Sequence, residues 1–369
     1  MNKKYIGLIL GVLFLTIGLI GCNTEVKQTS NSDGENNNDT ELVENKLTIY
    51  TTLYPLADFA KKIGGDIVEV ESIIPPGSDS HTYEPTSKEM VEIARADAFI
   101  FNGLGMEPYA EKISSALENE DVVLIEATQD IETIEHLHEH DHGHEGHEHE
   151  DEHEDHEHED HEHENHEHDE HEEESHEEDH DHDDEVEHDD HGHDHGDLDP
   201  HVWLDPYRSI KLAENIKNAL VELHPEATED FEQNYEALKT ELENLDHAFH
   251  ELVEEKENPE MVVSHAAYGY WEETYGIHQI PIAGLSSSDE PSQKDLVELI
   301  NLATEKDINY IIFEQNITPK VAEVIREEIN AEAMYLHNLS VLTDEDIANG
   351  EDYFSLMNRN LEVLNQVLR

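Results

Sequence analysis

Three histidines stand where a chain would place metal ligands. His81 lies in PPGSDSHTYEP, a loop directly after a predicted strand. His201 lies in DPHVWLDP, directly before a predicted helix, and His265 follows the apolar run MVVS. Each is at the end of an element, two in the first part of the fold and one in the second. Imidazole nitrogen suits borderline divalent ions, and three such nitrogens can close on one of them. Taken singly, each is better explained as a helix-capping or loop-bracing residue. Their shared placement is what makes them a candidate site. His224, His247, His250, His278 and His337 are expected to be solvated.

A sixty-residue tract, His136 to His195, is His, Asp or Glu at all but seven positions and holds 22 of the 30 histidines. With only Leu137 and Val186 to bury, it cannot build a core. Alternating imidazole and carboxylate offers many loose sites for Zn²⁺, Ni²⁺ or Cu²⁺, with no single geometry. Neighbouring carboxylates favour protonated imidazole, so this binding should weaken below about pH 6. Three stretches, beginning at His138, His149 and His176, match the H-E-x-x-H pattern of zinc proteases. In so biased a composition they arise without a structured helix, and a protease is not expected.

The elements that must position the three histidines follow an α/β rhythm. Strands are expected at 46–54, 67–74, 98–102 and 122–126, with helices from Pro55, over 87–95 and over 108–119. A helix starts near Pro206. From Pro225 to about Lys256, Phe231, Tyr235, Leu238, Leu242, Leu245 and Phe249 recur at three- and four-residue spacing, without internal Gly or Pro. That is one helix about 45 Å long, either a coiled-coil arm or a rigid connector. A second alternation follows, with strands at 261–264, 277–282, 311–314 and 333–335 and a final helix from Glu351. The expectation is two α/β lobes with mainly parallel sheets, 46–224 and 258–369, joined by a long helix at 225–257. Ligands of such lobes sit at strand C-terminal ends, in the crevice between them.

The chain has 369 residues, with 92 acids against 20 Lys and Arg and a formal net charge of -72. A surface this acidic repels nucleic acid and anionic lipid. Met1 to Lys4 is basic and Ile6 to Ile20 almost wholly apolar, short for a membrane span. The run ends in Leu19-Ile20-Gly21-Cys22, which resembles the bacterial lipoprotein processing box. The expected leader is 1–21, with a lipid on Cys22, the sole cysteine. Residues 22–45, rich in Asn, Glu, Ser and Thr, then form a tether.

YPLADFAKKIGG, IIPPGSDSHTYEP, FNGLGMEPY, HVWLDP, VVSHAAYGY and LHNLSVLT, in this order, carry a closer resemblance. From about Leu47 to the C-terminus the chain is similar to the substrate-binding lipoproteins of bacterial zinc-uptake ABC transporters, within the zinc/manganese-binding family. An acidic His-rich insertion before HVWLDP is typical of the zinc branch. The resemblance implies a binding protein and not an enzyme. It would be held by lipid on the outer face of the cytoplasmic membrane, monomeric, with Zn²⁺ as cargo and a membrane permease as partner. It implies zinc ligands at His81, His201 and His265. Manganese binders usually carry a carboxylate at the place of His265, so manganese or nickel uptake is the weaker alternative, beside an adhesin or metal-storage role. One position departs: many relatives have an acidic fourth ligand where this chain has Ser340. Water, or Glu314 at a strand end, could take that place. Asp205 is expected to cap the helix at Pro206 or to orient a ligand histidine.

Overall fold

The computed structural model describes residues 46–135 and 198–369, apart from positions 118, 119, 287 and 290. The leader, Cys22, the tether and the His136–His195 tract lie outside the described residues.

In the first half, β1 (Leu47–Thr51), α1 (Tyr54–Gly64), β2 (Val68–Ser72), α2 (Ser87–Ile93), β3 (Ala98–Phe101), α3 (Ala110–Leu117) and β4 (Val123–Glu126) alternate. The strands form a parallel sheet in the order β2-β1-β3-β4. Leu47 lies opposite Val68, Ile49 opposite Ala98, and Ala98 opposite Val123. The first strand stops at Thr51, short of the expected Tyr54, because Pro55 at the first turn of α1 sets a helical φ and needs no amide partner. Two helices follow, α4 (Pro206–Leu223) and α5 (Thr228–Glu254), separated by a 3-10 turn at Pro225–Ala227. The second half then runs β5 (Glu260–His265), α6 (Gly269–Tyr275), β6 (His278–Ala283), α7 (Gln293–Glu305), β7 (Tyr310–Glu314), α8 (Lys320–Glu328), β8 (Glu332–Leu336), α9 (Asp344–Asn349) and α10 (Tyr353–Val367). Its parallel sheet has the equivalent order, β6-β5-β7-β8.

In each sheet the chain reverses its direction of growth beside the first strand, between β1 and β3 and again between β5 and β7. Such switch points leave a crevice at the strand C-termini. His265 ends β5 and Glu314 ends β7, so both stand at the second switch point.

The connector is α5, 27 residues and about 40 Å long. Its apolar stripe is buried throughout: Phe231, Tyr235, Leu238, Leu242, Leu245 and Phe249. Burying six such side chains stabilises by on the order of 10 kcal/mol before entropy is counted. The stripe packs on α1 and α4 of the first half and on α6 and α10 of the second. One core accordingly runs through both halves, from Ile49, Phe59 and Phe99 through Trp203 and Phe231 to Trp271 and Tyr353. A smaller cluster, including Val262, Ile311, Phe313 and Ile325, underlies the second sheet.

A polar clasp adds to this. Asp205 caps α4 by accepting from the amides of Tyr207 and Arg208. Its Oδ2 meets Arg208 Nη1 at 2.6 Å and Thr274 Oγ1 at 2.6 Å. Arg208 also reaches Glu273 at 2.7 Å and the Glu132 carbonyl at 2.9 Å, and lies over the Tyr270 ring. Asp205 therefore caps its helix and holds α6.

Candidate metal centre

His81 sits in the loop after β2, which turns at Gly77, where φ is +72°. The His81 amide donates to Asp79 Oδ1 at 3.0 Å. Two hydrogen bonds tie the loop to the second half: Gly77 N to the Leu342 carbonyl, 2.9 Å, and Asn316 Nδ2 to the Ser78 carbonyl, 3.0 Å.

His201 precedes a 3-10 turn at Val202–Leu204. The residues around it are held mainly from across the crevice. Tyr270 Oη donates to the Asp199 carbonyl (2.7 Å), Trp271 Nε1 to Leu204 (2.6 Å) and Tyr353 Oη to Trp203 (2.8 Å). Trp203 Nε1 donates in turn to the Asn338 carbonyl, 2.8 Å away. From the first half, Asn102 Nδ2 donates to the Pro200 carbonyl at 3.0 Å. Asn102 is itself steadied by the buried carboxylate of Glu107, which accepts from Asn102 N at 2.8 Å.

Asp199 is the functional residue that sequence reasoning missed. Its Oδ1 accepts from the His201 amide at 2.9 Å and lies 2.8 Å from His201 Nδ1, with both side chains almost wholly buried. A carboxylate at Nδ1 keeps the proton there and turns the Nε2 lone pair outward. The signal was present, an acid two residues before the histidine, but the neighbouring acidic tract hid it.

His265 also has a carboxyl group beside Nδ1, though without a formed hydrogen bond. Its Nδ1 is 3.1 Å from Glu314 Oε1, and its Nε2 is buried without a hydrogen-bond partner. One ring nitrogen from each of His81, His201 and His265 lies within 4.8 Å of the others. Nε2 of His81 and Nε2 of His201 are 3.3 Å apart. Two nitrogens each about 2.0–2.1 Å from a tetrahedral ion are separated by roughly 3.3–3.4 Å. That pair is therefore already at the spacing of two edge-sharing ligands. Among the described residues this is the one such group of three or more potential ligands.

The surroundings keep the His81 and His265 rings neutral. Burial, and secondarily His201, lowers the His81 pKa to about 3. Burial, then His201 and His81, pushes His265 well below the usual histidine range. Neutral rings present lone pairs and not protons, which is the form a cation requires. Burial raises the Glu314 carboxyl to about 8, against the hydrogen bond from Asn338.

Of the remaining histidines outside the tract, His224, His247, His250 and His278 are solvent-exposed to varying degrees, as expected. His337 is a correction, since it is buried. Its Nδ1 accepts from Leu339 N at 2.9 Å, and its Nε2 meets Asp346 Oδ2 at 3.1 Å. Those two partners provide in the interior what solvent would have provided outside. Ser340 is buried too, its hydroxyl donating to Asn338 Oδ1 at 2.9 Å.

Known proteins share this architecture. The family model described as ZnuA, zinc-uptake complex component A periplasmic, matches residues 49–367. The zinc-binding lipoprotein AdcA of Streptococcus pneumoniae (strain ATCC BAA-255 / R6) is 33% identical over 327 residues, 88% of this chain and 56% of its own length. The chain thus spans about half the length of AdcA. The high-affinity zinc uptake system protein ZnuA of Bacillus subtilis (strain 168) is 30% identical over 369 residues, 100% of this chain and 99% of its own. The crystal structure of the Zn(II)-bound ZnuA-like domain of Streptococcus pneumoniae AdcA superposes with a TM-score of 0.64 at 31% identity, covering 88% of this chain and 99% of that one. With the match running from the first strand to the last helix and through all three histidines, the chain belongs to the zinc-uptake complex component A family.

Proposed function

We propose that this protein is the high-affinity zinc-binding component of an ABC-type uptake system, with His81, His201 and His265 as the ligands of its cargo. The observation that carries this is the convergence of three buried or half-buried imidazoles, two of them already 3.3 Å apart. Three nitrogens and no carboxylate in the cluster suit Zn²⁺ better than oxygen-seeking Mn²⁺. No bond is made or broken in such a task, so it calls for no nucleophile or general base. Capture draws on desolvated lone pairs, and delivery to a membrane permease draws on opening of the loops that carry them.

In this reading a lipid on Cys22 holds the chain outside the cytoplasmic membrane, 22–45 is the tether, and 46–224 and 258–369 are the two lobes of a monomer. The His136–His195 tract collects zinc beside the centre. Its flanking residues support this: Glu135 bridges Leu198, and Asp199 N donates to the Ile134 carbonyl at 3.0 Å. The insertion therefore begins and ends next to the carboxylate that orients His201.

Zinc titration by calorimetry, in competition with a chelator, tests the assignment. It compares the soluble protein, a version without residues 136–195, and that deletion carrying His265→Ala. One tight site that survives the deletion and is lost with His265 is expected. Loss of all tight binding with the tract alone would leave a metal sponge instead.

A further inference from the structure

Glu314 is held in one orientation. Its Oε2 accepts from Asn338 Nδ2 at 2.6 Å. The Asn338 amide cannot turn over, because its Oδ1 accepts from Ser340 N (3.1 Å), Ser340 Oγ (2.9 Å) and Gln315 Nε2 (3.0 Å). An amide whose oxygen faces three donors must point its NH₂ at Glu314. Oε1 is then left facing His265 Nδ1 at 3.1 Å, with no hydrogen bond of its own. The His265 nitrogen on the other side of the ring, Nε2, is also buried and unpartnered.

We infer that Glu314 is a positioning residue for the metal: when the ion binds, its Oε1 accepts from His265 Nδ1–H, which leaves the Nε2 lone pair for the ion, and it does not itself ligate. This rests on the reading of His265 as a ligand. One oxygen of Glu314 is committed to Asn338, the other approaches Nδ1, and Glu314 is not among the three residues whose ligand atoms converge. Ser340, which stands where many relatives carry an acidic ligand, here steadies Asn338 and through it Glu314. A carboxyl group then stands behind two of the three rings, Asp199 at His201 and Glu314 at His265.

Polarity gives this a sharp test. In Glu314→Gln, Asn338 still demands an acceptor, so the glutamine must direct its oxygen there and its NH₂ at His265. That forces the His265 proton onto Nε2, where it blocks the metal. An isosteric Gln should therefore weaken zinc at least as much as Ala, about 10–100-fold for loss of such a partner. Glu314→Gln combined with Asn338→Asp reverses the polarity of the pair and should recover much of the loss. Affinities are measured on the full chain in chelator-buffered zinc that fills only the tightest site, with X-ray absorption at the zinc edge on the same samples.

An unchanged ligand shell in Glu314→Ala is expected. Loss of an oxygen from that shell, or wild-type affinity in Glu314→Gln, would overturn the inference and leave the zinc site standing. Unchanged tight binding in His265→Ala would overturn the zinc site itself. In case the Glu314 variants do not fold, ¹⁵N chemical shifts of His265 in the zinc-loaded wild type decide the same question. A proton on Nδ1 supports the role, and a proton on Nε2 refutes it.

Discussion

Arg208 offers the strongest test of how the two halves are held. Its guanidinium is 7% exposed and the Asp205 carboxylate beside it 0%. Arg208→Met keeps the aliphatic stem and removes every charged contact. The Glu273 pair involves a half-exposed carboxylate and contributes little. The cost lies with Asp205, which retains Tyr207 N, Arg208 N and Thr274 but becomes a buried charge without a cation. Breaking such a pair costs about 3–5 kcal/mol. Adding Asp205→Asn removes that charge, keeps an oxygen for the cap and gives Thr274 a donor. The double variant should therefore be more stable than the single, by on the order of 2 kcal/mol.

Urea unfolding in a chelator, followed by the buried Trp203 and Trp271, measures both. The sign with pH follows from Asp205. Burial already raises its pKa against its hydrogen bonds, and loss of Arg208 raises it further. A raised carboxyl pKa favours folding at low pH and opposes it as pH climbs through the folded value. The deficit of the single variant should accordingly shrink from pH 8 toward pH 4.5. A single variant within 1 kcal/mol of wild type, or a double variant no better than the single, would refute the reasoning.

Three further outcomes are expected. Asp199→Asn, which keeps an acceptor for His201 but loses the charge, should weaken zinc about tenfold in chelator competition without a change in thermal midpoint beyond a few degrees. Gly269→Ala should have a similar effect on affinity, because its Cβ would stand 2.5 Å from Asp199 Oδ2 and 2.9 Å from Ile134 Cδ1; wild-type affinity in that variant would show that Asp199 can yield without cost. At His337, burial lowers the pKa against the pull of Asp346. A lowered histidine pKa means that stability is present above the unfolded value, about 6.5, and is lost as pH falls below it. Urea midpoints of the metal-free protein should drop between pH 7 and 5, and less steeply in His337→Gln.

Periodicity carried the fold. The stripe from Phe231 to Phe249 announced α5, and Pro55 and Pro206 marked where helices begin, because those signals are local. What escaped depends on partners distant in sequence or on composition that masks a signal. Burial of His337 was not legible because one of its two partners is a backbone amide, Leu339 N, and the other, Asp346, is nine residues on and is brought back by α9. That helix was itself overlooked, although Thr343 and Asp346 form a capping box at its start. The three candidate ligands were legible from their positions at element ends and from the family motifs. Their supports were less so: Asp199 was hidden beside the acidic tract, and the approach of Glu314 to His265 depends on two strands that are far apart in sequence.

The loops bearing His81 and His201 are fastened to the second half at Leu342, Asn316, Asn338, Tyr270 and Trp271. The residue that opens α1, Tyr54, donates its amide to the Ser340 carbonyl at 2.9 Å. These ties should keep the three rings in register if one sheet rocks slightly against the other. Escape of an ion becomes a matter of kinetics, because these bonds must open locally before a ring can withdraw. The residence time of the cargo is then written in the opening rates of a few amides, and hydrogen exchange at Tyr54 and Gly77, with and without zinc, reads them directly.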